Sequence, residues 1–311
     1  MFKQVAAGDM TPMRIYAIGD VHGRADLLDA LLSHLRKDSL RTSTPYRVIF
    51  LGDIIDRGPW SKRAMDLVIA TLLNVPGSTL LRGNHEDFVL RFIDNPFNRD
   101  YELMNWMYNG GVATALSYGV TPAEHWGELQ RMIPEMLAAL EAHPSHIAAM
   151  RDAEHKVVDQ GHVFVHAGLR PDVSFSGQSI YDMMTIRSDF LDVDYDFGMP
   201  VVHGHTVTAS RLPEVHNYRI ALDTGAEETG FLTAVAVEDG AVRSFVSTWM
   251  SETETIGVEE VTPKDLRSRA SLEIPSVLAT LQRYPLRSRG HSPEDTWSNP
   301  LYSFASSRLG Q

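Results

Sequence analysis

The chain has 311 residues, 43% of them hydrophobic and 22% charged, with a formal net charge of −12 at pH 7. This is the composition of an ordinary globular protein with room for one large domain or two small ones. The acidic balance argues against a nucleic-acid backbone as the main partner, and the lack of cysteine excludes disulfides and thiol chemistry. No apolar run reaches about 18 residues, so no membrane span is expected. Lys3 is followed by Gly8-Asp9 rather than by an apolar signal-peptide core, which makes a cytoplasmic location the expectation.

Residues 1–12 read as a short loose lead ending at Pro12, followed by a strand at 14–19. Leu27, Leu28, Leu31, Leu32 and Leu35 recur at helical spacing and predict a helix over 25–37. A strand is expected at 47–51. A helix marked by Met65, Leu67, Val68, Leu72 and Leu73 follows, closed by Pro76-Gly77. A short strand at 78–81 leads into a helix over 86–93, which Asn95-Pro96 stops. Residues 98–151 carry no ligand motif and read as a helical insertion; they contain Trp106 and the run Asn109-Gly110-Gly111. Strands are then predicted at 156–159, 162–166, 200–203, 219–223, 231–238 and 241–247, with Asp239-Gly240 as a hairpin turn between the last two. The segment 251–311 turns first acidic, then basic, with Pro275 and Pro285, and reads as a solvated or loosely docked extension. The resulting division is a lead (1–12), one catalytic domain (13–250, with the insertion at 98–151) and a C-terminal extension (251–311).

Three loops organise this domain: Gly19-Asp20-Val21-His22-Gly23, Gly52-Asp53-Ile54-Ile55-Asp56-Arg57-Gly58 and Gly83-Asn84-His85-Glu86. Each follows a strand-like run and precedes a helix, so each should lie at the carboxyl end of a strand, where open α/β sheets bind ligands. Two later strands end on imidazoles, at His166 and in the run His203-Gly204-His205-Thr206. Carboxylate, imidazole and amide oxygen together suit Mn, Fe or Zn. Six such ligands are enough for two ions sharing a carboxylate, a device for phosphate ester hydrolysis with metals roughly 3.5–4 Å apart. The ordinary alternative for Asp20 or Asp53 taken alone is helix capping.

These motifs, in this order over most of the chain, resemble the phosphoprotein phosphatase family of the calcineurin-like metallophosphoesterases. The likeness is greatest to the bacterial and phage serine/threonine phosphatases of the bacteriophage lambda type. The resemblance implies an α/β fold: a β-sandwich flanked by helices on both faces, with a dinuclear metal site at the carboxyl ends of the strands. It implies Asp20 and His22 on the first metal, Asp53 bridging, and Asn84, His166 and His205 on the second, with manganese the first choice and Fe or Zn as alternatives. It implies His85 as general acid with Asp56 as its partner, and Arg57 and Arg187 as phosphate-binding residues. Thr185 stands where the family often has Trp, and Val207 stands where broader metallophosphoesterases have a further metal histidine. His203 is then expected outside the ligand set.

The expected reaction is in-line attack on phosphorus by a hydroxide held between two metals that lower its pKa. The leading substrate class is a phosphorylated protein or peptide, hydrolysed at phosphoserine or phosphothreonine. A dinucleoside tetraphosphate hydrolase of the same fold stands second. That branch often departs from the Asp-Arg-Gly and Gly-Asn-His-Glu motifs kept here. A non-catalytic phospho-binding module stands third, and would usually have lost a ligand. The sequence leaves the oligomeric state open.

Overall fold

The computed structural model describes residues 13–121, 129–251 and 253–267. The first strand, β1 (Arg14–Ile18), alternates its side chains between two apolar layers. Ile15 and Ala17 pack with Phe164, Val202, Ile220 and Leu222, whereas Tyr16 and Ile18 pack with Leu28, Leu31 and Val68. The first set is a core between two sheets. The second is a core between one sheet and its helices.

The strands that follow are β2 (Tyr46–Phe50), β3 (Thr79–Leu80), β4 (Lys156–Asp159), β5 (His162–Val165), β6 (Val201–His203), β7 (Glu214–Val215), β8 (Arg219–Ala221), β9 (Thr233–Glu238), β10 (Ala241–Met250), β11 (Ile256–Val261) and β12 (Lys264–Asp265). They form two six-stranded sheets, ordered β11-β10-β9-β1-β2-β3 and β12-β7-β8-β6-β5-β4. In the first sheet β1, β2 and β3 are parallel, and in the second β5, β6 and β8 are parallel. Their carboxyl ends carry all the sequence motifs.

The helices are α1 (Ala25–Thr42), α2 (Ser61–Asn74), α3 (Asn84–Asp94), α4 (Arg99–Trp106), a π-helical turn (Met107–Gly111), α5 (Val112–Ser117), α6 (Leu129–Glu141), α7 (Pro144–Asp152), α8 (Ile180–Thr185), α9 (Ser188–Leu191) and α10 (Ala226–Thr229). Helix α1 buries Leu27, Leu28, Leu31 and Leu35 along one face, as the spacing predicts. It runs past residue 37, where the apolar period stops, to a left-handed Ser43 whose N–H closes on Ser39 O. The segment 98–151 supplies α4 to α7, and Val163, Val165, Val201, Met183 and Phe190 form a third core on the outer face of the second sheet.

The lead 1–12 and residues 268–311 lie outside the described residues. Residues 256–265, read from sequence as part of the extension, belong to the sandwich. Strand β11 pairs with β10 at the edge of the first sheet, and β12 pairs with β7 at the edge of the second. Ile256 and Val258 pack on the helical core and Val261 on the inter-sheet core. The adjacent charges Glu259 and Glu260 hide that alternation in the sequence. Among the described residues no helix is long and apolar enough to cross a membrane.

Candidate metal centre and active site

The loop after β1 carries Asp20 and His22, that after β2 carries Asp53, Asp56 and Arg57, and β3 leads into Asn84 and His85 at the start of α3. His166 follows β5, His205 follows β6 and Asp223 follows β8. These loops bend sharply. His22, Asp53, Asp56, Arg57 and His205 all have positive φ, between 44° and 73°. Such residues cost about 1–3 kcal/mol each and persist where their surroundings over-determine them. Here Glu86 does much of this, accepting from the N–H groups of Asp53 (2.9 Å), Ile54 (2.8 Å) and Gly83 (3.0 Å). Asp53 O in turn accepts from Val21 N (3.1 Å) and His22 N (2.9 Å), locking the first loop to the second. Gly83 is required by close approach, since a Cβ there would overlap Asp53 Oδ1.

Two overlapping groups of donor atoms result. One ligand atom each of His22, Asp53 and His85 lie within 4.8 Å of one another, and so do those of Asp53, His166 and His205. Asp53 is common to both. Its Oδ2 is 3.7 Å from His22 Nε2, 3.8 Å from His85 Nε2 and 3.4 Å from His166 Nε2. Asn84 Oδ1 lies 3.2 Å from His166 Nε2, and His205 Nδ1 is also 3.2 Å from it. Asp20 stands beside the second group, accepting the His205 N–H on both oxygens at 3.1 Å.

The proton inventory shows what this pocket accommodates. A carbonyl can only accept, so His166 Nδ1 donates to Leu51 O at 2.9 Å and His22 Nδ1 donates to Ile55 O at 3.0 Å. Their Nε2 atoms are left facing the site: that of His22, held neutral by burial, carries a lone pair, and that of His166 faces a carboxylate oxygen, an amide oxygen and another imidazole. His205 Nε2 is buried without a hydrogen-bond partner. Lone pairs converging out of contact with water call for a cation. The electrostatics show the same demand for positive charge, which a proton on His166 meets where no ion is bound. Burial lowers His166, yet Asp53 outweighs it and raises the imidazole to about 10. Burial and the Asp223 charge push Asp20 well above the usual carboxylate range. Burial pushes Asp223 itself up to about 6. Against its own burial, Asp53 is held well below that range by His166 and His85. His205 is driven down to about 2, first by burial and then by His166, so it stays neutral and able to ligate. The donor set fits divalent transition metals, with the imidazoles of His22 and His166 fixed from behind by backbone carbonyls.

His85 is bound differently. Its Nδ1 lies 2.7 Å from Asp56 Oδ2, and both side chains are buried. Arg57 places Nη2 3.3 Å from His85 Nε2 and Nη1 3.2 Å from Glu227 Oε1. Arg187, exposed between α8 and α9, donates to Thr206 Oγ1 at 3.1 Å.

Residues 13–209 match the family of calcineurin-like phosphoesterases. The chain belongs to that family. It is a metallophosphoesterase, a hydrolase whose relatives bind divalent metals. The chain is 27% identical over 244 residues to a bis(5'-nucleosyl)-tetraphosphatase of Bacillus cereus, spanning 72% of this chain and 90% of that protein. A second such enzyme, from Bacillus thuringiensis, matches at the same identity and coverage. A solved structure provisionally described as a diadenosine tetraphosphatase superposes with a TM-score of 0.50 at 16% identity, covering 81% of this chain and 95% of that one. At that identity the likeness concerns the fold alone. The sequence reading placed the tetraphosphatase branch second, on two motifs; the relatives named here come from that branch.

The candidate site brings together Asp20, His22, Asp53, Asn84, His85, His166 and His205, with Asp56 and Arg57 against His85 and Arg187 on Thr206, next to His205. His203 lies outside it, completely buried edge-on to Phe190 and beside Arg219 Nη1 at 3.5 Å. Burial, then the Arg219 charge, pushes its imidazole down to about 3. Arg82 is structural, as its place before Gly83 suggests, but its partners are the carbonyls of Met150 and Arg151 rather than an acid. Arg170 is held by Asp182 and Asp189. His146 bonds Tyr118 and Asp66, away from the site. Sequence reasoning gave no role to Glu86, Trp106, Thr114 or Glu227. For Glu86 a signal existed, an acid three residues after the Gly83 helix cap.

Proposed function

We propose that the protein is a metal-dependent phosphomonoesterase acting on phosphoserine and phosphothreonine in proteins or peptides. The observation that carries this reading is the buried His85–Asp56 pair. Serine and threonine leave phosphorus as basic alkoxides and need a proton as they depart. His85, anchored through Nδ1, keeps Nε2 for that transfer. Burial by itself lowers the imidazole, but Asp53 and Asp56 outweigh it and hold its pKa above the ordinary value. Arg57, in the loop after β2, and Arg187, at the start of α9 beside Thr206, suit phosphoryl oxygens, which a guanidinium binds with two hydrogen bonds. Asp20, His22 and Asp53 would hold one ion, and Asp53, Asn84, His166 and His205 the other, with manganese the first choice. Such ions supply Lewis acidity at the phosphoryl group and lower the pKa of water.

A second reading has support of its own: the named relatives act on bis(5'-nucleosyl) tetraphosphates and match along 90% of their length. In that reaction the leaving group is a nucleotide phosphate, a stable anion that needs a proton donor far less. One panel separates the two. Manganese-loaded wild type and His85→Asn are assayed on a phosphoserine peptide, nitrophenyl phosphate and a dinucleoside tetraphosphate. The expected result is preference for the peptide over the tetraphosphate. His85→Asn is then expected to lose about 10²–10⁴-fold on the peptide while nearly sparing nitrophenyl phosphate. Turnover of the tetraphosphate with the peptide at background replaces this reading by the second.

A further inference from the structure

Asp56 has no free lone-pair direction left for a wandering side chain. Oδ2 takes His85 Nδ1 at 2.7 Å and Trp106 Nε1 at 3.0 Å, and Oδ1 takes the same indole at 2.9 Å and the Thr114 hydroxyl at 2.6 Å. The Asp56 N–H donates to Ser61 Oγ and Thr114 Oγ1, both at 3.0 Å. The hydrogens are all accounted for. An indole N–H only donates. Thr114 has one hydroxyl hydrogen, and the shorter of its two contacts, 2.6 Å to the carboxylate against 2.9 Å to Ser61 Oγ, takes it. Asp56, Trp106, Thr114 and Ser61 are all buried.

Two of these donors come from outside the motif loops. Trp106 ends α4 and Thr114 lies in α5, both in the helical insertion. The π-helical turn between them brings the pair together. Within it Asn109 (φ −90°, ψ 15°) and Gly110 (φ 106°, ψ 3°) leave helical geometry. Gly110 occupies a conformation that favours glycine, and a Cβ at Gly111 would overlap the Trp106 indole. Gly110 O also accepts the Arg57 N–H at 3.1 Å. One turn thus sets the indole against Asp56 and fastens the backbone of the adjoining arginine.

We propose that Trp106 and Thr114 are positioning residues for proton donation: they hold the Asp56 carboxylate so that Oδ2 meets His85 Nδ1 and fixes the ring that delivers the proton. The inference rests on the phosphomonoesterase reading for its kinetic signature. A purely structural clamp, there only to satisfy a buried carboxylate, would cost stability and act on all substrates alike. A positioning clamp makes its loss depend on the leaving group.

The test uses Trp106→Phe, which keeps a ring and removes the N–H, Thr114→Val, which keeps the shape and removes the hydroxyl, and Thr114→Ser, which restores it. Full-length manganese-loaded protein is assayed on a phosphoserine peptide and nitrophenyl phosphate, with metal content and Tm checked. In protein without added metal, the His85 Nδ1–H resonance is followed by NMR with ring-labelled histidine. Trp106→Phe and Thr114→Val are expected to lower kcat on the peptide by about 10-fold, inside the 10²–10⁴ that general acid catalysis contributes. KM and nitrophenyl phosphate hydrolysis should stay near wild type, the resonance should broaden, and Thr114→Ser should recover most of the loss. If His85→Asn discriminates between the substrates and neither clamp variant does, the clamp is overturned and the acid assignment stands. If His85→Asn itself does not discriminate, the phosphomonoesterase reading fails. The resonance then decides the clamp: undiminished sharpness in both variants overturns it, and broadening supports it.

Discussion

The two sheets meet at one pocket but supply it by different means. The first sheet does so through bent backbone. His22, Asp53, Asp56 and Arg57 all sit at positive φ in loops held by Glu86 and by one another's carbonyls. These loops carry Asp53, common to both donor groups, Asp56, the partner of His85, and Arg57. The second sheet contributes imidazoles close to regular strand ends, His166 directly after β5 and His205 two residues past the end of β6. The difference is one of degree: among the named site residues, four at positive φ come from the first edge, including the carboxylate common to both donor groups, and one, His205, comes from the second. Asp53 belongs to both ligand groups; His205 belongs to one.

This difference sets an order of effects. Asp53→Asn should strip both ions and reduce activity by more than the roughly 10–100-fold that loss of an outer-shell partner costs. Metal content per chain is the measurement, and retention of both ions would end the assignment of Asp53 as the bridge. His205→Ala should deplete only one of the two ions, leaving the group around His22 occupied. If it empties both sites as Asp53→Asn does, the two edges are not separable. His203→Ala, two residues away, should leave metal content unchanged and show itself in the denaturation midpoint, by about 2 kcal/mol for a large buried side chain.

The sheets can also be loosened at their outer edges. Ending the chain after Arg267 keeps β11 and β12, whereas ending it after Met250 removes an edge strand from each sheet and uncovers Phe245 and Val246. The shorter protein should show a lower Tm and more aggregation, the longer one wild-type hydrolysis of nitrophenyl phosphate. Equal Tm values would mean that the edge strands add nothing to either sheet.

The smallest expected effect lies away from both edges, at His146 on α7. Burial lowers its pKa, and Asp66 only partly opposes this. The folded state therefore favours neutral imidazole, while the unfolded chain takes up a proton near the ordinary value of about 6.5. The stability that His146 contributes is present above that pH and is lost as the pH falls below it. His146→Gln should narrow the gap in Tm between pH 7.5 and pH 5 slightly, without touching metal content. An unchanged gap would mean that the acid sensitivity comes from the site histidines alone.

The motifs alone were enough to bring Asp20, His22, Asp53, Asn84, His85, His166 and His205 into one pocket, because each follows a short apolar strand. A chain that repeats strand, loop and helix must put such loops on one edge of a parallel sheet. The helix periods were legible for the same local reason. Three things depended on tertiary structure. Side chains two apart on a strand share a face, so spacing alone leaves His203 and His205 equivalent; the family resemblance sets His203 outside the ligand set, and the structure gives the reason, since β6 ends at His203 and His205 takes a positive φ beyond it. Strands β11 and β12 gain their hydrogen bonds only from partners already in place, and Glu259-Glu260 masks the pattern of β11. Trp106 and Thr114 stand 50 and 58 residues from Asp56 and carry no motif. Their role arises where a glycine-containing turn folds an insertion back on the loop after β2, a long-range contact for which local spacing holds no signal.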